Sequence, residues 1–219
     1  MQTALLEQAL QMPDAYLFID RLRAALELEK ATRKHFYEIV EENRKMEFIN
    51  GEIYYHSPVR LWHNEASGNV YELIRTYVRR NKLGRVGIEK LLISLTRNDY
   101  EPDVCFWQTE KSKAFKPRQA QFPAPDFVAE ILSESTAHHD RGVKYQDYES
   151  HGVREYWIID PEKQVLEQYV LENDAYELRM KAGDGMVHSA AIKGFSIPVR
   201  AIFDDDENAR VLAELWQQP

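Results

Sequence analysis

Cysteine is almost absent: Cys105 is the only one in 219 residues. That excludes disulfide scaffolds and zinc sites built from several cysteines. Its neighbours Val104, Phe106 and Trp107 are apolar, so Cys105 is expected to be buried as a small hydrophobe. No apolar run approaches the roughly 18 residues that a membrane span needs. A basic leader is missing as well, since MQTALLEQALQMPDAY is interrupted by Glu7, Gln8 and Gln11, unlike a secretory signal. A soluble, cytoplasmic protein without a membrane partner is the expectation. Positive charge is also short, with 28 Lys and Arg against 36 Asp and Glu, a net of −8. Nucleic-acid binding needs cations where the phosphates lie, so this balance argues against general affinity for it. No internal repeat or low-complexity block is present.

What the chain does have is ordinary globular material, with 44% hydrophobic and 29% charged residues. Global disorder is thereby excluded, and at about 150 residues per domain the length suits one domain plus an extension. The charge is uneven. Between Ile53 and Arg118 there are 12 basic and 7 acidic residues, a local excess of +5. Arg75, Arg79, Arg80, Lys82 and Arg85 lead this stretch, followed by Lys111, Lys113, Lys116 and Arg118. Either these form a solvated helix face and loop, or they make a phosphate-facing patch on an acidic protein.

Apolar spacing near 3.6 through Ile19, Leu22, Leu26 and Ala31 predicts a helix, with Asp14 as its cap. A second helical stretch is expected over Thr32 to Glu42. Glu47–Ile49 and Glu52–Tyr55 around Asn50–Gly51 read as a hairpin. A helix from Leu61 to Lys82, ended by Gly84, follows. Strands are expected at Arg85–Leu95, Asp103–Trp107 and Phe127–Leu132, the last buried on both faces. A helix from His138 to Ser150 precedes strand Glu155–Ile159. A second hairpin joins Val165–Leu171 to Tyr176–Lys181 across Asn173–Asp174. Phe195–Val199 and a helix near Ala209–Trp216 complete an α/β core of mixed sheet with an N-terminal helical extension.

Three charged residues stand where charge is costly. Asp103 follows Pro102 and opens the apolar strand Val104–Trp107; Glu130 lies inside FVAEIL; Lys144 sits on the following helix. An ionised, unpaired carboxylate in such a strand costs several kcal/mol, so Glu130 needs a cation, hydrogen-bonding partners or a raised pKa. Strands ending on one side of a sheet would bring Asp103 and Glu130 together. Two close carboxylates share a proton or bind a hard divalent cation, and Mg²⁺ fits best. Each residue taken alone has a plainer reading. Asp103 caps a turn, Glu130 pairs with a buried arginine, and Lys144 makes a solvated i,i+4 pair with Asp140. His63, at a helix start, is either a phosphate contact or a polar surface residue. His138 and His139 are adjacent and make a poor zinc pair. Tyr145 and Tyr148 are expected to pack on the sheet, and Tyr156 and Trp157 to be core.

The segments PDVCFW, FVAEILSEST and DRGVKYQDYESHGVREYWIIDP, with EFINGEIYYHSP before them, resemble the Uma-type endonuclease family, which is expanded in cyanobacteria. That family lies within the restriction-endonuclease-like, or PD-(D/E)XK, superfamily. The resemblance runs from about Glu47 to Phe203. It implies a nuclease domain over 46–219 and leaves residues 1–45 outside it, as an N-terminal helical extension unusual for the family. It also implies that Asp103 and Glu130 are metal ligands and that Glu47 is a further catalytic or metal-site carboxylate, with Glu52 a nearby competitor. The superfamily's usual lysine position holds Leu132, and the resemblance points to Lys144 on the next helix instead. Glu134 stands where many members have proline. The implied activity is an Mg²⁺-dependent DNA endonuclease, with Mn²⁺ as a substitute and a homodimer as the assembly. His63, Arg75, Arg79, Arg80 and Lys82 are candidate nucleic-acid contacts. The rivals are a non-catalytic nucleic-acid or protein-binding module on the same fold and an assembly protein driven by the N-terminal helices.

Overall fold

Alternation along three central strands determines how the layers stack. In the computed structural model, which describes residues 2–40 and 44–217, Val104, Phe106, Phe127, Ala129, Trp157 and Ile159 face one hydrophobic cluster. Cys105, Trp107, Val128, Tyr156 and Ile158 face another on the opposite side of the sheet. With both faces covered, these strands are apolar almost throughout.

The chain begins with α1 (Gln2–Leu10) and α2 (Ala15–Ile39), then β1 (Met46–Ile49), β2 (Glu52–Tyr55) and α3 (Leu61–Asn81). Next come β3 (Gly84–Ile88), β4 (Leu92–Ser94), β5 (Asp99–Tyr100), β6 (Val104–Gln108) and the single turn α4 (Thr109–Ser112). They are followed by β7 (Gln121–Phe122), β8 (Phe127–Ile131), α5 (Ala137–Asp140), α6 (Val143–Ser150) and β9 (Glu155–Asp160). The chain ends with β10 (Val165–Glu172), β11 (Ala175–Ala182), β12 (Met186–His188), β13 (Ser196–Pro198) and α7 (Asp205–Gln217).

A six-stranded sheet has the order β11-β10-β9-β8-β6-β3, and a five-stranded sheet the order β2-β1-β5-β4-β7. In the first, only β8 and β9 run parallel, which requires the crossover that α5 and α6 provide. Apolar residues of α3 and α7 cover one face of this sheet. Its other face meets Ile49, Ile93 and Tyr100 of the five-stranded sheet, together with Tyr148 of α6. On the far side of the smaller sheet, Phe36 of α2 packs with Met46, Phe48 and Leu92. The Arg33 guanidinium locks that contact by donating to the buried Asp99 carboxylate at 2.7 and 3.0 Å. It also donates to the backbone carbonyls of Leu95 and Thr96.

Both hairpins form at the expected turns. Asn50 and Gly51 take φ values of 52° and 91°, and Asn173 and Asp174 take 50° and 64°, the left-handed pairs that a two-residue loop demands. Other expectations need correction. Residues 85–95 are not one strand: Glu89 has a φ of 49°, and the chain leaves the six-stranded sheet at Ile88 to enter the five-stranded one at Leu92. The helix expected over 138–150 is broken between Asp140 and Val143. The helix α2 runs unbroken to Ile39 and stops there, with Val40 extended; Glu41 and Glu42, the rest of the expected stretch, lie outside the described residues. Asp14 occupies the cap position of α2 without a side-chain hydrogen bond, and α3 ends on a left-handed Lys82 rather than at Gly84. Cys105, Tyr148, Tyr156 and Trp157 are all buried.

Candidate active site

The antiparallel pairing of β6 with β8 matches Val104 to Ala129 and Cys105 to Val128. Continued by one step, the register sets Asp103 directly across from Glu130. Opposite residues of an antiparallel pair project from the same face, with Cβ atoms about 5 Å apart. The two ends brace each other: Ile131 N donates to Asp103 Oδ2 at 2.8 Å, and Asp103 N lies 3.4 Å from Glu130 Oε2. Glu130 lies two residues on from Val128 and shares its face, towards the space between the two sheets, where α6 also packs.

Into that space α6 lowers Lys144. Its ammonium lies 2.9 Å from Glu47 Oε1, 3.1 Å from Glu130 Oε1 and 3.1 Å from Asp140 Oδ1. Tyr148, one helical turn later, donates to the same Glu130 oxygen at 3.1 Å. Glu47 comes from β1 of the other sheet. Its remaining contacts are His56 Nε2 at 3.1 Å and the amide of Glu101 at 3.0 Å. Asp103 is held by Lys45 Nζ at 2.6 Å and lies 3.4 Å from His63 Nε2. His63 Nδ1 is buried and has no hydrogen-bond partner.

Burial and charge pull these groups apart. Burial pushes the Glu130 carboxyl up to about 8, against the pull of Lys144 and with the help of Asp140, Asp103 and Glu47. For Glu47 the same burial is outweighed by Lys144 and His56, which hold it at about 2. Asp103 is kept far below the usual carboxylate range: burial opposes this, but Lys45 and His63 prevail. Asp140 is raised, by burial first and then by Glu47 and Asp103. Burial works against both ammonium groups, yet the surrounding carboxylates drive Lys144 and Lys45 above their ordinary value.

Four carboxylates thus share two ammonium groups at the end of a cavity of about 740 Å³. Lys45, His56, His63, Asp103, Glu130, Asp140 and Lys144 all line it. The structure therefore brings together Asp103, Glu130, Lys144, Glu47 and His63. It does not bring Arg75, Arg79, Arg80 or Lys82 to them. These four project from α3, whose apolar side covers the opposite face of the six-stranded sheet. Arg75 lies over the Tyr71 ring, and Arg80 donates to the Leu215 carbonyl. Besides Lys45 and Lys144, the lysines and arginines of the cavity wall are Arg44, Arg60, Arg141 and Lys163. His138 and His139 stack on each other at 3.8 Å and lie outside the cavity lining.

Sequence reasoning missed Lys45, His56 and Asp140 as members of the cluster. Only Asp140 had left a signal, its i,i+4 spacing from Lys144. That pair forms, but it is buried rather than solvated. Glu47, expected as a further metal ligand, is spent on Lys144, His56 and a backbone amide. Among the described residues, no three His, Cys, Asp or Glu side chains are grouped to hold a metal ion.

A model of the Uma2 family, described as "Putative restriction endonuclease", matches residues 33–200. The match begins inside α2, at the arginine that clamps this helix to the sheet. Among solved structures, the chain is similar to the crystal structure of "a putative nuclease belonging to DUF820" from Anabaena variabilis. The two superpose with a TM-score of 0.66 at 19% identity, over 77% of this chain and 94% of the other, so the chain has that nuclease's fold. No curated protein matches it.

Proposed function

Because the chain belongs to the Uma2 family of restriction-endonuclease-type proteins, we propose that it is a metal-dependent phosphodiester hydrolase that cuts DNA internally. The observation that carries this reading is the pair Asp103 and Glu130, facing each other across two strand ends and lining the same cavity as an ammonium group.

The chemistry of the donor set fits a hard divalent cation. Four carboxylates against two lysines leave two formal negative charges in excess when all are ionised, and Glu130 is pushed up by burial first, with Asp140, Asp103 and Glu47 adding to it. A grouping of two carboxylates rather than a cage of three suits Mg²⁺, which keeps several waters and takes one or two carboxylates; Mn²⁺ would substitute. Asp103 and Glu130 would hold it. Bound there, the ion would supply Lewis-acid stabilisation and an acidified water.

The chain's own residues supply the rest. Lys144 is sealed by three carboxylates, so it positions Glu130 and Glu47 and takes the superfamily lysine's place as an internal counter-ion. Lys45, whose side chain is one-fifth exposed, is the ammonium able to meet a phosphate oxygen and neutralise charge developing there. His63 holds Asp103 through Nε2 from the cavity wall. In the same reading residues 1–45 are a helical extension of a nuclease domain over 46–219. The exposed Leu5, Leu6, Leu10, Tyr16 and Leu17 of α1 and α2 serve to pair two copies.

The test is cleavage of supercoiled plasmid and of labelled oligonucleotides with Mg²⁺, with Mn²⁺ and with chelator, comparing the native chain with Asp103→Asn and Glu130→Gln. Metal-dependent cutting, lost in both variants, is expected. Cutting that persists in both folded variants overturns the assignment. Absence of cutting and of metal binding moves it to a non-catalytic binding module.

A further inference from the structure

The carboxylates that would hold the metal are nearly inaccessible: Asp103 is 4% and Glu130 2% exposed. Among the described residues, both line the cavity of about 740 Å³, which is the approach to them. Pockets of roughly 300–1,000 Å³ enclose small molecules, so this one admits a nucleotide or two. A strand that brings its phosphate to Asp103 and Glu130 passes this wall, and a base free of its partner can lie flat against an exposed ring there.

The cavity wall carries the matching chemistry. Val59 and Trp62, at the start of α3, line it and remain 49% and 41% exposed, although folding favours their burial. Arg60 lies over the Trp62 ring at 5.3 Å. A second pair repeats the arrangement on a ring outside the lining: Arg44, a wall residue, lies 3.9 Å over the exposed Tyr55. Exposed aromatic faces with guanidinium groups beside them are how proteins hold unpaired bases without reading their sequence. Net charge points the same way. At −8, the chain has little long-range attraction for a phosphate rod, so affinity has to come from short-range stacking.

We propose that this cavity takes single-stranded or unpaired nucleic acid, with a base stacked on Trp62 beside Arg60 and the phosphate directed towards Asp103 and Glu130. The inference rests on the hydrolase reading for the fate of the phosphate, but not for the stacking itself.

The experiment measures anisotropy of a fluorescein-labelled 12-nucleotide pyrimidine strand and of the corresponding blunt duplex. It uses the full chain in chelator, across a salt series, with Trp62→Ala and Trp62→Phe as variants. The strand is expected to bind about tenfold or more tighter than the duplex, with a shallow salt slope. Trp62→Ala should lose about tenfold on the strand and Trp62→Phe should recover most of it. Because Trp62 is exposed, melting temperatures should stay equal. Equal or tighter duplex binding, an unaffected Trp62→Ala, or no binding to either probe overturns the inference. Parallel Mg²⁺ reactions separate the two ideas. Duplex cutting that ignores Trp62 sinks the stacking proposal and keeps the hydrolase. Trp62-dependent strand binding without any cutting sinks the hydrolase and keeps the stacking.

Discussion

Replacing Glu130 with glutamine should make the metal-free protein more stable at alkaline pH while abolishing its chemistry. The carboxyl titrates near 8 in the folded chain against an ordinary 4.5. Between those values the native state binds more protons than the unfolded one, so stability falls as pH rises. The span of about 3.5 units, at about 1.4 kcal/mol each, gives at most about 5 kcal/mol, fully developed above pH 8. Glutamine matches the protonated acid in shape and still offers an oxygen to Lys144 and Tyr148. The two proteins should therefore be nearly equal at pH 5, and the variant should gain steadily up to about pH 8. Glu47, held at about 2, contributes in the opposite sense, losing its stabilisation as pH falls below 4.5. Its titration lies below the pH range compared and does not enter the difference. Urea unfolding in chelator at five pH values between 5 and 9 measures the effect. Adding Mg²⁺ should stabilise the native chain and leave the variant unmoved. A difference that does not change with pH, or a variant less stable throughout, would refute the reasoning.

Other perturbations probe other parts of the structure. Lys144→Met strands three buried carboxylates and should cost about 3–5 kcal/mol, seen as a lower urea midpoint at pH 8 and a smaller deficit at pH 5, where the acids can protonate. Arg33→Ala leaves the buried Asp99 with Tyr37 as its remaining side-chain donor; a loss of about 3 kcal/mol, or about 10 °C in melting temperature, should come with faster proteolysis in α2. Leu6→Glu with Leu17→Glu should leave the melting temperature of the core unchanged and reduce the mass measured by light scattering from two copies to one. An unchanged mass would detach those exposed side chains from any dimer.

How far the sequence could be read depended on whether the cause was local. Asn50–Gly51 and Asn173–Asp174 announce their hairpins because the left-handed backbone is needed where those residues stand. Glu130 was legible as chemistry because a carboxylate inside an apolar strand demands partners. Lys45 carries no such tension in its own segment, and only the docking of two sheets turns it into a partner of Asp103, whereas His56 meets Glu47 diagonally across the first hairpin. The strand expected over 85–95 failed for a related reason. Glu89, not a glycine, makes the left-handed reversal that sends the chain to another sheet. The basic row of α3 was visible as a helix face, but nothing local says which side of the sheet that helix covers.

The ion cluster around Lys144 draws on β1, β8, α5 and α6, elements from both sheets and separated by long loops of chain. Its charges can shed their water only when both sheets have met, because any earlier burial would leave some of them unpaired. Assembly of the cluster is therefore expected late in folding, and substitutions there should register φ-values near zero. Substitutions there should act as a released latch, accelerating unfolding while refolding from denaturant keeps its speed. The lifetime of the native fold and the integrity of the candidate site are in this way carried by the same side chains.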